Sequence, residues 1–202
     1  EAHQHLGIEL SPRIKATTDL PEIAEIARAH HQASRRAHRL LLIVSLRDPR
    51  EGATAAGMLR DAGVSVALRS MDEEVDDATQ IYVADIDGEL GLWYRVAPIT
   101  YLGGSLSNGS CRDPFEAATL GSAVLHGPQI SPFESQIARL SAADACMALG
   151  SFSDLGSTVE TLLSPDKAAR IVHAAWDVTS RGAEVTDRLA EVIFEKLDGV
   201  DA

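Results

Sequence analysis

The chain is short of positive charge, of cysteine and of long apolar runs, and each shortage removes a class of function. Against 30 acidic residues it carries 18 Lys and Arg, for a formal charge of -12. A nucleic-acid surface needs clustered cations to neutralise phosphates, so that class is excluded, and any phosphate held here must be held locally. Cys111 and Cys146 are too few for a disulfide framework and stand in no metal-type pair, which fits a reducing cytoplasm. No stretch approaches the roughly 20 consecutive apolar residues that span a bilayer, and no basic segment leads into an apolar one as in a secretion signal, so a soluble chain is expected. His3 with His5, and His30 with His31, lack Cys or carboxylate partners at ligand spacing; both pairs read as solvated, and no metal is expected. The chain opens at Glu1 rather than Met and enters an amphipathic stretch at once, so the expectation is a domain cut from a longer protein.

What remains is 202 residues, 45% of them hydrophobic, enough for one globular domain spanning 1–202. Apolar runs of strand length alternate with longer stretches of helical period, the pattern of βαβ units on a parallel sheet. Strands are predicted at 14–17, 40–46, 64–68, 80–84, 99–102, 123–125 and 145–149. The run LLLIVSL at 40–46 is the clearest, since strands covered on both faces read as continuous apolar segments. Helices are predicted over 20–34, 53–62, 89–96, 114–120 and 133–140, from Asp154, and over 165 to about 197. The fold expected is a three-layer, doubly wound α/β domain, Rossmann-like, with ligands outside the carboxyl ends of its strands.

Several strand ends carry unusual residues. Gly103-Gly104-Ser105 would let backbone approach a ligand and offer N–H groups to a phosphate, or would be a plain glycine turn. Asp113-Pro114-Phe115-Glu116 reads as a helix start, with Asp113 as N-cap, Pro114 first in the helix and Glu116 reaching back from the third position. Equally, Glu116 would accept hydrogen bonds from the two hydroxyls of a ribose, because a carboxylate accepts two and donates none. Arg47 ends the LLLIVSL strand, poised either for a phosphate or sugar carboxylate or for a pair with Asp48 or Asp19. Asp85 to Leu90, DIDGEL, opens a helix with Asp87 as a possible N-cap and Gly88 at a tight approach. His126, before Gly127-Pro128, reads as a satisfied loop histidine, and Cys111, with no base nearby, as incidental.

Together these loops resemble the C-terminal half of the 3-deoxy-D-manno-octulosonic acid (Kdo) transferases, glycosyltransferases of the two-Rossmann-domain GT-B type. From Tyr82 to Gln129 the order DIDGELGLWY, GGSL, RDPFEAATLG and GPQ resembles the family's D-T-x-G-E-L-G-L-x-Y, G-G-S-L, N-P-x-E-P-A-A-L-G and G-P-H. Ala16-Thr17-Thr18 and Leu46-Arg47-Asp48-Pro49 are similar to its A-S-T and P-R-H-P turns, and Ser164-Pro165-Asp166 and Arg181-Gly182-Ala183 to residues of its final helices. The resemblance implies one half of a GT-B enzyme that binds CMP-Kdo through Arg47, Asp87, Gly88, Glu89, Gly103, Gly104, Ser105, Arg112, Asp113 and Glu116. Glu116 would take the ribose, the Gly103 to Ser105 loop would lie near the phosphate, and DIDGEL would border the cytidine. It further implies transfer to lipid A at the cytoplasmic face of a bacterial inner membrane, without metal or other cofactor. The general base and acceptor surface would lie in an N-terminal domain absent from this chain, leaving no catalytic residue here. The sequence departs from the pattern at Ser110-Cys111-Arg112-Asp113, where two glycines are missing and Asn is replaced by Asp113, and at Gln129, where the family has His. An added carboxylate beside a phosphate costs affinity unless Arg112 neutralises it. A UDP-sugar transferase or epimerase, and a non-catalytic ligand-binding α/β domain, stay open as alternatives.

Overall fold

The computed structural model describes residues 12–107 and 111–180. Seven parallel strands run β1 (Arg13–Thr18), β2 (Leu41–Leu46), β3 (Val66–Leu68), β4 (Ile81–Val83), β5 (Ile99–Leu102), β6 (Ala123–His126) and β7 (Cys146–Ala148). Between them lie α1 (Ile23–Ser34), α2 (Gly52–Asp61), α3 (Leu90–Val96), α4 (Pro114–Thr119), α5 (Glu134–Ala142) and α6 (Phe152–Leu162), and residues 165–180 are helical as well. The expected alternation is therefore present, with ends shifted by up to three residues. The part of the last predicted helix beyond 180 lies outside the described residues, as do His3, His5 and the Arg181-Gly182-Ala183 motif.

The sheet order is β3-β4-β2-β1-β5-β6-β7. From β1 the chain moves to β2 and on to the edge strand β3, comes back to β4 between them, and then crosses to the other side at β5. Neighbouring connections thus diverge at the carboxyl ends of β1 and β5, which opens the crevice such sheets use for ligands. Alternate side chains point to opposite faces of a strand. Leu42, Val44, Ile14 and Ala16 pack under α1, α2 and α6 with Ile23, Ile26, Ala55, Leu155 and Val159. On the opposite face Leu41 and Ile43 meet Tyr82 and Trp93, while Leu102 and Val124 meet Tyr94, Ile137 and Leu140 from α3 and α5. Three layers result.

The strand with the weakest sequence pattern sits at the centre. β1 pairs with β2 on one side and β5 on the other, and its polar Lys15, Thr17 and Thr18 are as buried as its apolar residues. Covered on both faces, it has to accommodate those groups internally. His30, expected to be solvated, is also buried, its Nε2 2.8 Å from the Leu40 carbonyl. It faces the sheet from α1 while neighbouring His31 points outward.

Candidate functional site

The rim of the β1/β5 crevice is organised by a residue that sequence reasoning passed over. Glu22, in a 3-10 turn before α1, is 2% exposed. Its carboxylate accepts the Thr18 hydroxyl at 2.6 Å, the Gly104 N–H at 2.8 Å and the Ser107 hydroxyl at 2.6 Å. These donors offset the cost of taking the carboxylate out of water. The Gly103 N–H donates to the Thr17 carbonyl at 2.7 Å, and a Cβ at residue 103 would lie 2.1 Å from that oxygen. Gly104 has a φ of 81°, a left-handed conformation that suits glycine. Ser105 is fully buried; its hydroxyl donates to the Leu102 carbonyl and accepts the Gly127 N–H at 2.8 Å. The expectation that the amides of Gly103 and Gly104 face a phosphate is therefore corrected: both are used inside the fold. The glycines are there because β1 and the Glu22 turn come so close.

Glu116 lies elsewhere, on the α3–α4 side. Asp113 caps α4, accepting the Phe115 N–H at 2.8 Å with Pro114 in the first turn, as the sequence predicts. Glu116 does not reach back, and its exposed carboxylate makes no hydrogen bond among the described residues. It lines an open groove of about 380 Å³ between α3 and α4, together with Leu90, Gly91, Tyr94, Asp113 and Phe115. DIDGEL thus contributes to the groove through Leu90 and the glycine after it.

The rest of DIDGEL is employed differently. Asp85 accepts the backbone N–H of Ser70 at 2.9 Å and its hydroxyl at 2.7 Å, and packs so tightly on the start of α2 that a Cβ at Gly52 would clash with it. Glu89, not Asp87, occupies the cap position of α3, and its carboxylate is held by Arg69 at 3.0 and 3.2 Å. Asp87 and Gly88 are exposed. Nothing among the described residues lies within 4 Å of where a Cβ at Gly88 would be, and its φ of 82° accounts for the glycine. Arg47 sits at the crevice rim with its Nε 2.8 Å from Asp19, a half-buried pair that ties the ends of β2 and β1. His126 is buried, Nδ1 2.8 Å from the Gly127 carbonyl, but its Nε2 has no partner among the described residues, so the histidine is only half satisfied there. Burial raises the Cys111 thiol, which leaves it a poor nucleophile.

Beneath the groove lies a second residue that the sequence did not single out. Lys15 of β1 is 1% exposed, its Nζ 3.4 Å from the Tyr94 ring centroid and 3.4 Å from the Leu90 carbonyl. Burial, and then repulsion by Arg112, push its ammonium down to about 6, while Glu116 pulls the other way. Among the described residues, Arg112 Nε, Thr17 Oγ1 and Tyr94 Oη are buried without a hydrogen bond of good geometry. The structure thus joins Glu116, Arg112 and Asp113 with Lys15, Thr17 and Tyr94, and leaves Arg47 and the Gly103–Ser105 loop at the neighbouring crevice.

No protein-family model matches the chain. A probable mitochondrial 3-deoxy-D-manno-octulosonic acid transferase of Arabidopsis thaliana is 36% identical over 128 residues, 61% of this chain and 29% of the plant protein. A 3-deoxy-D-manno-octulosonic acid transferase of Haemophilus influenzae is 26% identical over 187 residues, 92% of this chain and 44% of its own. The chain therefore spans less than half the length of these curated relatives. Among solved structures, the C-terminal CMP-Kdo binding domain of WaaA from Acinetobacter baumannii shares the fold, with a TM-score of 0.78 at 24% identity, over 87% of this chain and 93% of that domain. The fold also superposes on part of a longer chain, the spinosyn rhamnosyltransferase SpnG, with a TM-score of 0.51 at 16% identity over 85% of this chain and 42% of that one. By sequence and fold, the chain is a relative of the 3-deoxy-D-manno-octulosonic acid transferases over the portion of them that it spans.

Proposed function

We propose that this chain is the donor-binding half of a Kdo transferase and that CMP-Kdo lies with its nucleoside in the α3–α4 groove. Glu116 accepts hydrogen bonds from the ribose hydroxyls, Leu90 and Gly91 flank the cytosine, and Arg112 faces the phosphate. Arg47, at the adjoining crevice, is directed toward the sugar carboxylate. The observation that carries this reading is Glu116 itself: Asp113 does the capping, so the Glu116 carboxylate stands in a groove without structural employment. One Asp113 oxygen is committed to the cap, and Arg112 offsets the charge that this aspartate adds beside the phosphate.

The chemistry asked of such a domain is to bind and orient the donor and to stabilise CMP as it leaves. The general base, the lipid A acceptor surface and attachment to the cytoplasmic face of the inner membrane belong, in this reading, to the remainder of the enzyme. Transfer inverts the anomeric carbon and runs without metal. Titration calorimetry tests the assignment: CMP should bind more tightly than UMP or UDP. Equal or tighter binding of UDP would move the function to a UDP-sugar enzyme, and no binding of any of the three would favour a non-catalytic domain.

A further inference from the structure

Lys15 is one of three lysines in a chain that otherwise draws its positive charge from arginine. It points from the central strand toward α3 and α4. The neighbouring strands place Ile43 and Thr100 in register with it, neither of them charged. From α3 it meets the Leu90 carbonyl and the face of Tyr94, whose phenol burial holds in its neutral form. The charged groups that act on it are Arg112, just before α4, and Glu116 within α4. On the same side Thr17 Oγ1, Tyr94 Oη and Arg112 Nε are buried without a hydrogen bond of good geometry among the described residues. Leu90 and Tyr94, which cover Lys15, are also walls of the Glu116 groove. A layer rich in donors, one side chain below a groove, suits an anion above it.

We propose that Lys15 is a further ligand-binding residue of this groove, the buried cation that balances the phosphate of the nucleotide held against Glu116. The inference rests on the nucleotide reading given above. In the empty domain the amine is largely neutral at pH 7, because burial and Arg112 both oppose its charge. A phosphate arriving beside Arg112 cancels that repulsion and adds attraction, so the amine takes one proton from solvent and becomes an ammonium. Arginine could not serve in this way, since a guanidinium keeps its charge and would have to be buried with it in the empty state.

The test is calorimetric titration of the 202-residue chain with CMP at pH 7.5, in buffers of differing ionisation enthalpy. At that pH the phosphate is already mostly dianionic, its second pKa being about 6, so uptake reports on the protein. A group titrating near 6 predicts about 0.9 proton taken up per CMP, and an affinity that falls up to about tenfold between pH 7 and 8. Lys15→Met fills similar space without a titrating group and should bind CMP about tenfold more weakly at pH 7.5, with no uptake and no such slope. Carbon NMR of the lysine Cε resonances supplies a check that needs no variant: one resonance should titrate near pH 6 in the empty chain and move above pH 8 with CMP. CMP binding without proton uptake, equal uptake in Lys15→Met, or no lysine titrating below pH 8 would each overturn the role of Lys15 and leave the nucleotide reading standing. Failure of the unmodified chain to bind CMP would overturn both.

Discussion

Replacing Glu116 by Gln separates the two uses that a carboxylate in the first turn of a helix can have. The side chain keeps its length and shape and loses its charge. In the structure the cap of α4 comes from Asp113, whose oxygen is 2.8 Å from the Phe115 nitrogen, and the Glu116 carboxylate makes no hydrogen bond among the described residues. A substitution at such a surface position changes stability by less than about 0.5 kcal/mol, which for a chain of this size shifts the melting temperature by less than about 2 °C. Binding should respond differently. A glutamine cannot accept from both ribose hydroxyls with charge assistance, and losing hydrogen bonds to a charged group costs about 1.5–3 kcal/mol. At 1.4 kcal/mol per decade the CMP affinity falls about tenfold to a hundredfold. Asp113→Ala makes the reciprocal comparison, losing about 1 kcal/mol of capping and about 2–4 °C of melting temperature. Calorimetry and thermal melts on both variants give the full square. Normal CMP binding by Glu116→Gln would refute the reasoning and remove the principal residue from the groove.

Glu22→Gln should lower stability by about 1–3 kcal/mol, because the Thr18, Gly104 and Ser107 donors lose a carboxylate that matches all three; an unchanged melting temperature would show that the crevice rim does not depend on it. Lys15, with its folded pKa lowered to about 6, binds fewer protons native than unfolded up to its ordinary value of 10.5. Stability therefore rises as pH climbs through that window, by at most about 1.4 kcal/mol per unit, and Lys15→Met should flatten the rise in denaturant titrations; an equal slope in the variant would assign the dependence elsewhere. Incubated with CMP-Kdo and a lipid A precursor, the isolated chain should transfer no Kdo, and turnover would place a general base within these residues.

The elements were readable because their signals are local. Continuous apolar residues at 40–46 demand a strand covered on both faces, and β2 is fully buried. Asp113-Pro114 announces α4 through a donor only two residues away. The motif order from DIDGEL to GPQ likewise pointed to the right relatives, since it survives divergence that leaves overall identity low. What the residues do was harder to read. Gly103 and Gly104 look like free amides until Thr17 and Glu22, more than 80 residues earlier, are brought against them. Lys15 in RIKATT resembles a polar interruption of a weak strand, and its burial follows only once β1 is placed between β2 and β5 and roofed by Tyr94. Periodicity and capping act over a few residues and are written in the chain itself. The partnerships of buried charges are decided by which distant strand ends a parallel sheet sets side by side, and by how little water that packing leaves between them.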